Sequence, residues 1–79
     1  MKVVENYNFY ELMEIIRKLR GDDGCPWDRE QTHVSLKTCL IEECYETIQA
    51  ITIQDDADLC ADLGDVLLQV ALHTAIAEE

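Results

Sequence analysis

Glu42, Glu43 and Glu46 are followed, after fifteen intervening residues, by Asp62 and Asp65. Each group sets two carboxylates three residues apart, Glu43 with Glu46 and Asp62 with Asp65. On a helix, side chains three apart share a face, and like charges there repel. Successive helical residues differ by about 100°, so Glu42, Glu43 and Glu46 fill one arc about 100° wide and Asp62 and Asp65 stand about 60° apart. No Lys or Arg lies four residues from any of the five to relieve the repulsion. A divalent cation would relieve it directly. Oxygen-only ligands select a hard ion, and Mg²⁺, or Mn²⁺ in its place, is held by a few carboxylates together with substrate phosphates. The plainer reading of the same residues is a solvated acidic face.

These acids depend on helices to bring them together. Residues 9–20 carry Phe9, Leu12, Ile16 and Leu19 at helical spacing. Asn8 is the expected N-cap with Glu11 in capping-box position, and Arg17, Lys18 and Arg20 suit the negative pole of the helix. Gly21 stops it. Cys25-Pro26-Trp27-Asp28 reads as a turn, with Asp28 and Gln31 capping a short helical segment. Ser35 is the expected cap of a helix over roughly 36–51, with an apolar stripe of Leu36, Leu40, Ile41, Cys44, Ile48 and Ile51. A break at Thr52-Ile53-Gln54 leads to a third long helix from about Asp56, where Asp55, Asp56 and Asp58 favour the positive pole. Its core face is Leu59, Leu63, Val66, Leu67, Val70, Ala71 and Thr74. No strand pattern competes, so the fold class is all-α. Glu78 and Glu79 sit at the wrong pole of that helix, which predicts either a longer helix or a shortened chain.

The chain has 79 residues and a formal net charge of −11. A single domain of this size buries only about 60–65% of its unfolded surface and is marginal alone. Its 48% hydrophobic content is that of a globular protein, and the apolar surplus predicts a homo-oligomer. All six Lys and Arg precede residue 38, and ten acids follow it. A bare polyanion such as nucleic acid is therefore repelled, whereas a phosphorylated small molecule can bind through bridging metal ions. No apolar run is expected to cross a membrane, and residues 1–6 lack the apolar core of a signal peptide. The expected location is cytoplasmic. Cys25, Cys39, Cys44 and Cys60 show no Cys-x-x-Cys spacing for zinc; the helical ones are read as buried, reduced small hydrophobes.

The acidic pattern, together with Cys25-Pro26-Trp27-Asp28-x-x-Gln31-Thr32 and the stretch from Asp62 to Val70, resembles the MazG family of nucleoside triphosphate pyrophosphohydrolases. The resemblance runs from about residue 9 to residue 79. It implies one all-helical domain over 1–79 that dimerises or tetramerises, with its acidic helices in a four-helix bundle shared between chains. It also implies Mg²⁺-dependent hydrolysis of a nucleoside triphosphate to monophosphate and pyrophosphate, often to clear the nucleotide pool. Carried over by position, Glu43, Glu46, Asp62 and Asp65 would be metal ligands, and Glu42 would assist catalysis by orienting a water. The family usually has Glu at the position of Asp62, and its longer members carry basic residues further on. The rival reading is a non-catalytic relative kept as a dimerisation or nucleotide-binding module.

Other residues have two readings each. Trp27 either lines a base pocket or plugs the core beside Pro26. Lys37 and Arg20 are the cations best placed to approach a substrate phosphate, with ordinary surface roles as the alternative. Glu30 and His33 form one Glu-x-x-His pair, but the second pair that a di-iron site needs is missing. His73 reads as an interface or core histidine.

Overall fold

The structure, a computed structural model, describes residues 8–79. The stretch 1–6, read above as lacking a signal-peptide core, lies outside the described residues. Four helices follow in order: α1 (Phe9–Leu19), α2 (Pro26–Glu30), α3 (Lys37–Thr52) and α4 (Asp56–Glu78). The described residues contain no strand, and the fold is all-α as the sequence implies.

Each helix boundary has a local cause. The Asn8 side chain accepts a 2.9 Å hydrogen bond from the Glu11 backbone N–H, so α1 begins where expected. Pro26 opens α2, where its missing N–H costs nothing. Asp28 lies inside that helix and Gln31 is its C-cap, so neither caps its start. Ser35 does not cap α3 either. Its Oγ accepts from Thr32 N (2.8 Å) and donates to Gln31 Oε1 (2.8 Å), which closes the preceding turn, and α3 starts at Lys37 with no side-chain cap. Asp55 caps α4 by accepting from Asp58 N. Gln54 takes a left-handed φ of 59° between α3 and α4, the position where a glycine usually ends a helix. Gly24 is required for a different reason: a Cβ there would lie 2.3 Å from the Lys18 and Leu19 carbonyl oxygens.

The hydrophobic core sits at one end. Leu12, Met13 and Ile16 of α1 pack with Leu36 and with Ala71, Leu72 and Ala75 of α4. Leu36 is fully buried, a contribution of about 1.5–3 kcal/mol. The other half of α4 lies along α3. Here the structure departs from the expected stripe. Leu36 and Ala50 are buried, but Ile41, Ile48 and Ile51 are more than half exposed. The inward line of α3 is Leu36, Glu43 and Ala50, seven residues apart, so its isoleucine face points away from α4. Leu63 and Val70 of α4 are exposed with it. On α3, Cys44 is exposed with the isoleucines and Cys39 is half-buried; elsewhere Cys60 is exposed and Cys25 half-buried, and all four are free. None is the fully buried hydrophobe that the pattern suggested.

One further expectation is corrected. By length and composition α4 is apolar enough to cross a membrane, because Leu, Val and Ala fill it between its acids. In the fold it packs against α1 and α3 and carries Asp62 and Asp65.

The acids at the end of α4 find their counter-charges across the fold. Arg17 donates to both carboxylate oxygens of Glu78 (3.0 and 2.8 Å), and Arg20 to both of Glu79 (2.6 and 2.9 Å). These bonds hold both glutamates below the usual carboxylate range. A carboxylate with a lowered folded-state pKa stabilises the fold above its unfolded value, near 4.3, and that stability is lost as pH falls through the folded value. The Glu78→Gln/Glu79→Gln double variant should therefore melt below the wild type at pH 7, and the gap should narrow as pH falls below the unfolded carboxylate value and through the folded one. A gap that persists unchanged at low pH would show that the ion pairs are not its source.

Candidate functional site

The acids meet where α3 lies along the N-terminal half of α4. Glu43 is half-buried at the seam, and its Oε2 is buried with no hydrogen-bond partner. Burial pushes its pKa above the usual carboxylate range, and Asp65, Glu46, Asp62 and Glu42 add to the shift in that order. Asp65, across the helix interface, thus acts on Glu43 more strongly than its own-helix neighbour Glu46 does. No cation contributes to the shift. Asp62 and Asp65 are half-buried, and Glu42 and Glu46 are exposed.

Beside this seam lies an open groove of about 290 Å³ lined by Glu46, Gln49, Ala50, Ile53, Asp58 and Asp62. The fold therefore divides the expected set. Glu43 and Asp65 occupy the seam, Glu46 and Asp62 line the groove, and Glu42 stands at the outer edge. Among the described residues, no three acidic, histidine or cysteine side chains converge closely enough to hold an ion. The fit to a cation rests on the chemistry of the donors: a buried carboxylate oxygen with no hydrogen-bond partner among the described residues, in the field of further acids. An oxygen-only set of this kind suits Mg²⁺.

Asp58 and Gln49 were not recognised as groove residues from the sequence. Asp58 stands one turn before Asp62 on the same face, a spacing that its role near the helix start obscured. Trp27 is 58% exposed and so does not plug the core of this chain. Lys37 is exposed at the first position of α3, six residues before Glu43, or about 9 Å along the axis. Arg20 does not face solvent or the groove. Its side chain is 7% exposed and committed to Glu79 and to two backbone carbonyls.

His33 and His73, read separately in the sequence, meet with their Nδ1 atoms 2.8 Å apart. The rings are within 3° of parallel with centroids 5.0 Å apart. That separation is close to the N···N distance plus two ring radii, so the rings lie edge to edge. Such a bond needs one ring nitrogen to donate and the other to accept. No ion fits between nitrogens that point at each other.

The fold and the site together define a small all-helical domain with a carboxylate-lined helix seam. Comparison with known proteins assigns the family: residues 31–79 match the MazG nucleotide pyrophosphohydrolase domain, and the chain belongs to the MazG family. It is 58% identical over 71 residues to the nucleoside triphosphate pyrophosphohydrolase/pyrophosphatase MazG of Thermotoga maritima, covering 90% of this chain and 28% of that protein. It is 42% identical over 69 residues to the nucleoside triphosphate pyrophosphohydrolase of Escherichia coli K12, covering 86% and 26%. It is 53% identical over 73 residues to the Bacillus subtilis protein YabN, covering 92% and 15%. The chain thus spans well under a third of the length of these relatives.

The unsatisfied carboxylate at the seam has a thermal signature. A raised carboxylate pKa means that ionising Glu43 costs folding stability, so in metal-free buffer stability falls as pH rises through the carboxylate range. Glu43→Gln should melt a few degrees above the wild type at pH 7 without metal, and the difference should disappear near pH 3. Millimolar Mg²⁺ should raise the wild-type melting temperature more than matched monovalent salt, and should raise that of Glu43→Gln less. Equal responses of the two proteins to Mg²⁺ would remove Glu43 from the ion's surroundings.

Proposed function

We propose that this domain hydrolyses nucleoside triphosphates, ribo or deoxy, to the nucleoside monophosphate and pyrophosphate, with Mg²⁺ (or Mn²⁺) bound at the α3–α4 seam. The observation that carries the reading is the buried, unpartnered Glu43 oxygen, on which Asp65, Glu46 and Asp62 act electrostatically. In this reading Glu43, Glu46, Asp62 and Asp65 are the metal ligands. Bound Mg²⁺ would neutralise phosphate oxygens and make a water more acidic. Glu42, at the exposed edge of the arc, orients the attacking water and accepts its proton. That water attacks the α-phosphorus, the bridge to the β-phosphate breaks, and pyrophosphate leaves. With no glycine-rich phosphate loop in the sequence, a bound ion would have to cradle the phosphates. Trp27 and Lys37 are the proposed contacts to the base and to a phosphate. Such an activity suits the cytoplasmic nucleotide pool and a house-cleaning role there.

The exposed isoleucine face of α3, with Leu63 and Val70 of α4, supports a second proposal. A homodimer or homotetramer would cover this face and complete a four-helix bundle. Light scattering at micromolar concentration should give a dimer or tetramer; a stable monomer would contradict it.

A second functional reading, a non-catalytic nucleotide-binding or dimerisation module, is favoured by one observation: no three ligands converge among the described residues. Product analysis separates the two. The enzyme should release pyrophosphate and monophosphate only with a divalent ion, and Glu46→Ala should reduce turnover by at least about 100-fold, as small losses of alignment do, with helical content unchanged. Orthophosphate as the first product would exclude the proposed bond cleavage. No turnover of any triphosphate would support the module.

A further inference from the structure

We propose that Arg20 is a positioning residue for the nucleoside end of the substrate, because its guanidinium fixes the strap of residues 26–36 against the end of α4. This rests on the proposed triphosphate reaction. A helix as short as α2 gives few of its carbonyls an intrahelical partner, although Asp28 O accepts from Gln31 N at 3.2 Å. Arg20 Nη1 donates to two of the carbonyls at that end, Asp28 O at 2.6 Å and Gln31 O at 2.9 Å. Its other edge, Nε and Nη2, grips Glu79 of α4. One planar fork therefore joins the end of α1, the end of α2 and the end of α4. A lysine ammonium cannot reproduce that two-edged geometry.

The bonds continue along the strap. Gln31 Nε2 donates to Trp27 O (3.1 Å), and Gln31 Oε1 accepts from Ser35 Oγ (2.8 Å). Thr32 and Ser35 exchange backbone-to-hydroxyl bonds of 2.8 and 3.0 Å. His33 is tied to His73 of α4, and buried Leu36 closes the segment just before Lys37. This well-anchored strap nevertheless presents large apolar side chains to solvent: Trp27 is 58% and Val34 75% exposed. An exposed aromatic on a firmly tied segment is preorganised to meet a ligand. The tie to α4 is at His73, eight residues beyond Asp65 (73 − 65), so about 12 Å along the helix. That is comparable with the reach of a nucleotide from its phosphates to its base. A triphosphate held at the acids can bring its nucleoside to the strap, and Arg20 sets where the strap waits.

The test compares the wild type with Arg20→Lys for kcat and KM on a nucleoside triphosphate at saturating Mg²⁺, with melting temperature and acrylamide quenching of Trp27, the sole tryptophan. Arg20→Lys should raise KM by roughly tenfold or more with kcat within about twofold, the split expected when binding alignment is lost and chemistry is kept. Trp27 quenching should rise at temperatures where the variant is still folded. An unchanged KM with unchanged quenching overturns the proposal. So does a fall in activity that only tracks the folded fraction. If Arg20→Lys does not fold, Glu79→Gln, which weakens one edge of the fork, should show the same KM increase and quenching in smaller measure; no change in either overturns the proposal. If the wild type turns over no triphosphate, the reaction reading fails by itself. The Arg20 proposal is then decided by titrating the triphosphate calorimetrically: weaker binding by Arg20→Lys supports it, and equal or absent binding in both proteins contradicts it.

Discussion

A carboxylate in a helix–helix seam is the constraint on which the rest of this domain depends. Packing α3 on α4 through Leu36, Glu43 and Ala50 places one oxygen of Glu43 out of water with no donor to meet it. Burying an ionised group without compensation is strongly unfavourable, and Asp65, Asp62 and Glu46 add to the disadvantage. The alternative rotation of α3 would have buried Ile41, Ile48 and Ile51 and placed the acids in solvent. The observed rotation gives up that apolar burial within the chain and keeps the acids together. Both consequences, an unsatisfied anionic seam and a free isoleucine face, come from one choice of packing face. A cation would answer the first and a second copy the second.

The opposite end of the molecule supplies the stability that this choice withholds. The core of Leu12, Met13, Ile16, Leu36, Ala71, Leu72 and Ala75 is compact and apolar, and the Arg17–Glu78 and Arg20–Glu79 pairs fasten the end of α4 beside it. Exposed ion pairs each contribute little, but Arg20 is different because it also satisfies carbonyls at the end of α2. The charge segregation of the chain has a structural meaning here. The early arginines are matched to the last acids, while among the described residues Glu43 and the acids around it have no ion-pair partner.

Much of this was legible in the sequence. The Asn8 cap, the turn at residues 52–54, the Asp55 region and the three long helices all follow from local chemistry, and so does the all-α class. The spacing of Glu43 with Glu46 and of Asp62 with Asp65 already put each pair on one face of its helix. The rotation of α3 was not legible, because its isoleucines and its Leu36–Glu43–Ala50 line are both regular at helical period, and only the partner helix decides which turns inward. Ser35 was misread as a cap because a serine before a helix can equally close a turn with Thr32. Glu78 and Glu79 looked misplaced because their partners lie about sixty residues away in sequence. His33 with His73, and Asp58 with the groove, are likewise tertiary meetings with no local signal.

Locating a divalent ion tests the role of the seam most directly. Paramagnetic Mn²⁺ added in substoichiometric amounts broadens amide resonances near its binding site, and the two-dimensional NMR spectrum of the chain can be read residue by residue. Broadening centred on residues 43–46 of α3 and 62–65 of α4, reversed by excess Mg²⁺, is the predicted result. Broadening centred instead on the exposed acids at residues 55–58, or spread evenly over all acidic surface, would contradict a seam built to hold an ion.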